Sequence, residues 1–362
     1  MAASIHIRQL SKHFKGNTVV RDLDLEVEEG EIVVLLGPSG CGKTTTLRCL
    51  AGLEKPDGGS ISLKDRVVFD AEKRIDVPTH RRDIGMVFQS YALWPHMTVK
   101  QNISYPLKVR RMPKAQRTEW VERSAALVHC SDLLDRYPAQ LSGGQQQRIA
   151  LARGLVARPA LVLLDEPLSN LDAKLRDQVR TQIRELHQEL RFTGVLVTHD
   201  QEEALALGDR IAIMRDGRIE QYDTPEKVFL KPDTEYVASF IGLSNRIEWT
   251  REDGDWVTAA GARVSVTELG DVPGDRAVST IRPDDLRLHQ ARPSHSGGLL
   301  TFDAKLVTVE YLGRHVDVTV EAGTTRLQIR VRGEDQGWVR ALEPGSDVVV
   351  SVPMADLHSY TA

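Results

Sequence analysis

Glu31-Ile32-Val33-Val34-Leu35-Leu36-Gly37-Pro38-Ser39-Gly40-Cys41-Gly42-Lys43-Thr44 decides the fold of this 362-residue chain. Ile32 to Leu36 is a continuous β-branched and leucine run, the pattern of a strand buried on both faces. Residues 37–44 fit G-x-x-x-x-G-K-[ST], a glycine loop that turns backbone N–H groups inward around phosphate oxygens. The segment after it reads as a helix, whose positive end adds to the same site. Lys43 is expected to reach the β- and γ-phosphates of a nucleotide, and Thr44 to ligate Mg²⁺.

Outward from this loop, residues 84–88, 161–164 and 195–198 are further apolar runs separated by helical patterns. That alternation predicts an α/β domain with a mainly parallel sheet. Residues 5–27 alternate more and predict an antiparallel edge. Three of the runs end in chemistry-bearing residues. Asp165 and Glu166 follow 161–164: the first is expected to complete the Mg²⁺ site, the second to polarise water attacking the γ-phosphate, and Pro167 stops the strand. His199 follows 195–198 and Gln89 follows 84–88, on the strand edge where open α/β sheets bind ligands. His199 could donate to the γ-phosphate, although a lone histidine is more often structural. Gln89 could touch Mg²⁺ or the water.

Leu141-Ser142-Gly143-Gly144-Gln145 begins another helix, with Ser142 as cap and Ile149, Ala152 and Val156 toward the core. A second helix start attracts a second anion. The glycine loop already occupies one such start, so this one would serve the phosphate of another copy. Between Gln89 and Leu141 lies a helical insertion. Residues 114–134 read as one amphipathic helix, with Trp120, Leu127 and Val128 available for its apolar face. The cations Lys108, Arg110, Arg111, Lys114, Arg117 and Arg123 there read as a solvated helix face, with a membrane-proximal patch the alternative.

The formal net charge of −4 argues against a nucleic-acid binder. Three cysteines, Cys41, Cys49 and Cys130, have neither CxxC spacing nor an even number, so neither zinc nor a disulfide framework is expected, and a reducing compartment fits. The N-terminus has no signal-peptide pattern, and no apolar run nears the roughly 20 residues of a membrane span. Thr224-Pro225-Glu226 starts a helix that, with another over 235–241, closes the first domain. Beyond Gly242 period-two strands at 316–320, 326–332 and 347–352 predict a second, all-β domain shaped as a small barrel. The expected division is 1–240, with a helical subdomain at about 90–160, and 241–362.

Taken together, these motifs resemble the ATP-binding subunits of ABC transporters. The resemblance implies a P-loop nucleotide-binding domain with a helical subdomain, followed by a β-rich OB-like TOBE domain. Walker A would be Gly37 to Thr44, with Thr45 beside it. Gln89 would be the Q-loop glutamine, Leu141 to Gln145 the signature, Asp165 the end of Walker B and Glu166 the catalytic glutamate. Ser169 to Asp172 would form the D-loop and His199 the switch. Phe14 aligns with an aromatic that stacks on adenine. ATP and Mg²⁺ are the implied cofactors. The resemblance also implies a head-to-tail homodimer, in which Ser142, Gly143, Gly144 and Gln145 of one subunit face the nucleotide of the other and Asp172 communicates across.

The partners it implies are transmembrane permease subunits and, indirectly, an extracytoplasmic substrate-binding protein, with the chain peripheral on the cytoplasmic side of the inner membrane. Arg136-Tyr137-Pro138 and Ile281-Arg282-Pro283-Asp284-Asp285-Leu286 look like importers with a TOBE domain that supports dimerisation. Residues 67–78 look more like ferric-iron, polyamine or phosphonate importers than sugar importers, which are the alternative. A DNA-repair or chromosome-organising ATPase would carry a coiled coil between Lys43 and Leu141, and no sustained heptads occur there. A two-cassette translation factor would carry two glycine loops, and only one is present.

Overall fold

A computed structural model describes residues 3–269, 272–293 and 298–361; Met1 and Ala2 of the N-terminal stretch lie outside it. The chain divides into two compact units, Met1–Val228 and Phe229–Ala362.

The first unit holds two sheets. Strands β1 (Ala3–Phe14) and β2 (Asn17–Glu28) join β4 (Gly58–Leu63), β5 (Arg66–Asp70) and β6 (Ile75–Asp76) in an antiparallel sheet of order β2-β1-β4-β5-β6. Residues 5–27, expected as an edge of the main sheet, instead belong to a sheet of their own. The alternation explains this: Ile5, Ile7, Leu23, Leu25 and Val27 are buried toward one shared core, and the other face is polar. Lys15 and Gly16 both have positive φ, as a two-residue turn between right-twisting strands requires.

In the second sheet β10 (Arg210–Arg215), β3 (Ile32–Leu36), β9 (Gly194–Thr198), β8 (Leu161–Asp165) and β7 (Ile84–Val87) run parallel, and β11 (Arg218–Asp223) pairs antiparallel to β10. The order is β11-β10-β3-β9-β8-β7. Every residue of β3, β8 and β9 is buried, which is why these strands read as unbroken apolar runs. Helix α1 (Lys43–Ala51) packs on β8 and β9.

The helical insertion contains α2 (Val99–Val109), α3 (Lys114–Leu127) and α4 (Gly143–Leu155). The single helix expected over 114–134 ends at Leu127, and after left-handed His129 a short 3₁₀ turn, Ser131–Leu133, follows. Its buried stripe is Val121, Ala125 and Val128, while Trp120 and Leu127 are half-buried. Helix α2 has a complete capping box, Thr98 with Gln101. Helices α5 (Ala173–Leu190) and α6 (Gln201–Leu207) follow β8 and β9. All three cysteines are free and buried.

In the second unit, two five-stranded sheets share one apolar core that includes Trp249, Trp256, Phe302 and Val350. Three short helices, Glu235–Phe240, Val266–Leu269 and Gln336–Val339, accompany the strands, so the unit is β-rich rather than all-β. The division falls before the helix Glu235–Phe240, earlier than the expected 240/241. That helix buries Val237 and Ala238, packs on the strands Arg276–Ile281 and His358–Thr361, and pairs Glu235 with Arg246.

Candidate functional site

The carboxyl ends of β3, β7, β8 and β9 carry the glycine loop, Gln89, Glu166 and His199. Four sequence runs far apart along the chain are thus brought to one edge, where strand ends and helix starts leave a crevice.

The loop's glycines are fixed by space and by φ. A Cβ on Gly37 would fall 2.5 Å from Met214 O, and Gly42 has φ 106° with Val19 O 2.6 Å from where its Cβ would sit. Pro38, Ser39 and Gly40 are exposed, Cys41 is buried, and Thr44 and Thr45 are half-buried. Lys43 is only 6% exposed, and its ammonium donates to Gly37 O at 2.7 Å and Pro38 O at 2.8 Å. Gly42 gives α1 no side-chain cap, and the first turn has no acid. The start of α1 therefore offers backbone donors and a cation to an anion, the combination that phosphate requires.

Thr44 Oγ1 donates to Asp165 Oδ1 at 3.4 Å. Burial pushes the Asp165 carboxyl above the ordinary aspartate range, with Arg48 and the Thr44 bond opposing. The Thr44 hydroxyl and the Asp165 carboxylate bring two oxygen donors together, the kind of ligand that suits a hard cation such as Mg²⁺.

Glu166 is left-handed, with φ 44°, a conformation that costs a non-glycine residue about 1–3 kcal/mol and gathers at functional sites. Its backbone N–H donates to Val197 O at 3.0 Å, which ties it to β9. One carboxylate oxygen accepts from Gln89 Nε2 at 3.2 Å, and the other lies 3.4 Å from His199 Nδ1. Gln89 Nε2 also donates to Ser169 Oγ at 3.1 Å, and Asn170 Nδ2 donates to Gln89 O at 2.9 Å. Glu166, Gln89, His199 and Ser169 thus form one connected cluster beside Asp165.

The remaining expected residues lie elsewhere. Ser142 caps α4 in a reciprocal box with Gln145, and the hydrogen bonds of both stay inside that helix's first turn. Ser142 and Gly143 are exposed; Gly144 is buried, with Leu175 Cδ1 2.6 Å from where its Cβ would sit. Asp172 caps α5, accepting from Leu175 N at 3.0 Å. Phe14 is 41% exposed at the tip of the β1–β2 hairpin, with the Lys12 ammonium 4.9 Å from its ring centre.

Arg153 drew no expectation, yet its guanidinium donates to Tyr91 O and Ala92 O, two and three residues past Gln89. The available signal was a cation inside the apolar run from Ile149 to Val156. A groove of about 520 Å³ opens beside this loop, lined by Ile84, Met86, Phe88, Trp94, Val109 and Arg153 among others. Among the described residues, no helix is long and apolar enough to cross a membrane.

Residues 20–169 match the family described as ABC transporter, and residues 279–359 match the TOBE domain. The chain is 41% identical over 368 residues to the trehalose/maltose import ATP-binding protein MalK of Thermococcus litoralis, covering 99% of this chain and 97% of the relative. It is 42% identical over 352 residues to the Fe(3+) ions import ATP-binding protein FbpC 1 of Rhizobium meliloti, covering 96% and 95%. The solved dimeric structure of the ATP-binding cassette MJ0796 in a post-hydrolysis state, bound to ADP and Pi, superposes with a TM-score of 0.53 at 30% identity, over 61% of this chain and 98% of that one. The chain belongs to the ABC transporter family, among the importer-type ATPase subunits that carry a C-terminal TOBE domain.

Proposed function

We propose that the cluster around Glu166 is the hydrolytic centre of an importer's ATPase, completed by a second copy of the chain. The observation that carries this reading is the left-handed Glu166, held between Gln89 and His199 next to the Thr44–Asp165 pair. The α1 amides and Lys43 hold the β- and γ-phosphates of ATP, and Phe14 offers a face to adenine. Thr44 and Asp165, with Gln89 nearby, would hold Mg²⁺, which supplies charge neutralisation across the phosphates. Glu166 orients a water and takes its proton, while His199 and Gln89 fix the carboxylate's direction.

The bonds of Ser142 and Gln145 stay local, and that supports a head-to-tail dimer in which this helix start meets the nucleotide of the other copy. The apolar groove beside Gln89 fits a short helix from a permease subunit, so the chain works as a peripheral subunit on the cytoplasmic side, fed by an extracytoplasmic binding protein. The TOBE unit supports dimerisation. The relatives named for trehalose/maltose and for Fe(3+) match at 41% and 42%, so similarity gives a sugar the same weight as ferric iron. Uptake of labelled solutes by the reconstituted complex decides between them.

Glu166→Gln tests the centre. It keeps every nucleotide contact and removes the base, so turnover should fall about 100-fold or more, a barrier increase of about 2.7 kcal/mol. ATP should then hold the dimer closed. Gel filtration that finds a monomer in excess ATP and Mg²⁺ would count against the reading.

A further inference from the structure

The loop after Gln89 is held in an unusual way. Tyr91 and Ala92 are consecutive left-handed residues, with φ 61° and 47°. Neither is glycine, so both carry steric strain and need an outside restraint. Arg153 of α4 supplies it: Nη1 donates to Ala92 O at 2.6 Å and Nη2 to Tyr91 O at 2.8 Å. The guanidinium also lies 4.9 Å from the Trp94 ring centre.

Arg153 is 7% exposed, and among the described residues no carboxylate pairs with it. Burial alone pushes its guanidinium down to about 10. A buried cation without a counter-ion is expensive, so its site must return something the fold or the chemistry needs. The guanidinium's planar fork reaches two successive carbonyls, which the point charge of a lysine cannot do.

The base of the fork is equally fixed. A Cβ on Gly85 would fall 2.2 Å from Gly154 O, so β7 and α4 are in backbone contact at the residue next to Arg153. At the other end of α4, the Tyr91 hydroxyl lies 3.9 Å from where a Cβ on Gly143 would sit. The loop therefore touches the signature helix at its start and its end, two residues beyond the side chain that bonds Glu166.

We propose that Arg153 is a positioning residue that sets the Gln89 amide against Glu166 by bracing the Tyr91–Ala92 loop on the signature helix. A shift of α4 then moves Gln89, and the hydrolytic centre responds to whatever engages the signature. Arg153 also lines the groove beside Gln89, with Trp94, so an occupant there presses on the same brace. This rests on the reading of Gln89 as part of the hydrolytic centre.

The test is a double-mutant cycle on the full-length chain, with kcat, KM for ATP and the Kd of a fluorescent ATP analogue as readouts. Arg153→Lys should lower kcat about tenfold and leave KM and Kd within about twofold. In a Gln89→Ala background the same change should cost less than about twofold, because the amide it positions is gone. Equal losses in both backgrounds would overturn the brace and leave the hydrolytic centre standing. Unchanged turnover in Gln89→Ala alone would overturn the hydrolytic reading and the brace with it. Ala92→Gly keeps the test open if Arg153→Lys does not fold, since glycine accepts the left-handed backbone while loosening the loop. It should lower kcat about threefold, again only while Gln89 is present; an undiminished kcat would refute the brace.

Discussion

Two helices of the first unit begin beside glycines, and their first turns are left in opposite condition. Helix α1 starts behind Gly42, a left-handed residue with no side chain to cap it. Helix α4 starts behind Ser142, in extended backbone, whose hydroxyl accepts from Gln145 N while Gln145 Oε1 accepts from Ser142 N. Glycine also serves different ends. At Gly42 the backbone of Val19 leaves no room for a Cβ; at Gly144 the side chain of Leu175 does not, so α4 can seat on the start of α5. The first start leaves its donors free and adds Lys43. The second is already capped, and it exposes Ser142 and Gly143 at its tip. One reads as an anion cradle finished within a single chain. Under the proposed function, the other meets a phosphate only when a second chain brings one.

The sharpest way to break this comparison is to weaken the first start. Lys43→Ala removes the one buried cation of the loop and with it the charge-assisted contact proposed for the β- and γ-phosphates. The Kd for ATP should rise about 100-fold, a loss of about 2.7 kcal/mol. Titration of a fluorescent ATP analogue measures it. Binding within a few-fold of the native chain would mean that the amides of α1 suffice and that Lys43 serves only the loop carbonyls it touches here.

The second start should respond differently. Ser142→Trp puts bulk at an exposed cap, so the monomer's own nucleotide contacts stay intact while a second chain can no longer close over them. Turnover should fall about 50-fold, with Kd for ATP changed less than about threefold. The lost cap costs the helix about 1 kcal/mol as well, so circular dichroism serves as the folding control. Equal losses in binding and turnover would mean that α4 acts within its own chain, and the two starts would then be parts of one site.

Much of this contrast was legible in the sequence, because each start has a local signature: glycines with lysine and threonine at 37–44, a serine cap with glutamine three residues on at 142–145. The buried strands β3, β8 and β9 were legible for the same kind of reason, since a strand covered on both faces must be apolar throughout; β7 also reads as apolar, although it lies at the sheet edge with only Val87 fully buried. What pairs with what was less so. Ile5 pairs with Leu63, and Arg210 with Val33, across separations that periodicity does not span. The hairpin of β10 and β11 carries polar residues at its ends and gave no comparable sign. Glu166 was legible by its place after a buried strand, but its left-handed backbone was not, because its residue type does not favour that conformation; the structure shows it, with the tie to Val197. Arg153 was hidden for the opposite reason: an arginine in a helix normally reads as surface, and here the carbonyls of a strained loop draw it inside.

The smallest expected effect compares thiols at the two starts. Cys41 sits inside the glycine loop, 4% exposed, and burial pushes its thiol above the ordinary cysteine range, with Lys43 opposing. A group raised in this way is protonated at neutral pH, and its thiolate fraction grows only as pH climbs past the ordinary value of about 8.5–9. The thiol introduced by Ser142→Cys would instead be exposed at a helix start, where the positive dipole end favours thiolate. At pH 7.5 iodoacetamide should label Cys41 at least about tenfold more slowly than that introduced thiol, with each unit of thiol shift giving about tenfold in thiolate. Raising the pH to about 9.5 should narrow the gap. Cys49, pushed up to about 12, and Cys130 are fully buried and should stay silent, so mass spectrometry of labelled peptides isolates the two starts. Once labelled, Cys41 should block ATP binding by bulk, whereas label on the introduced thiol should spare it. Equal labelling rates at pH 7.5 would mean that the glycine loop opens as freely as an exposed cap, and the preformed cradle at α1 would no longer distinguish the two.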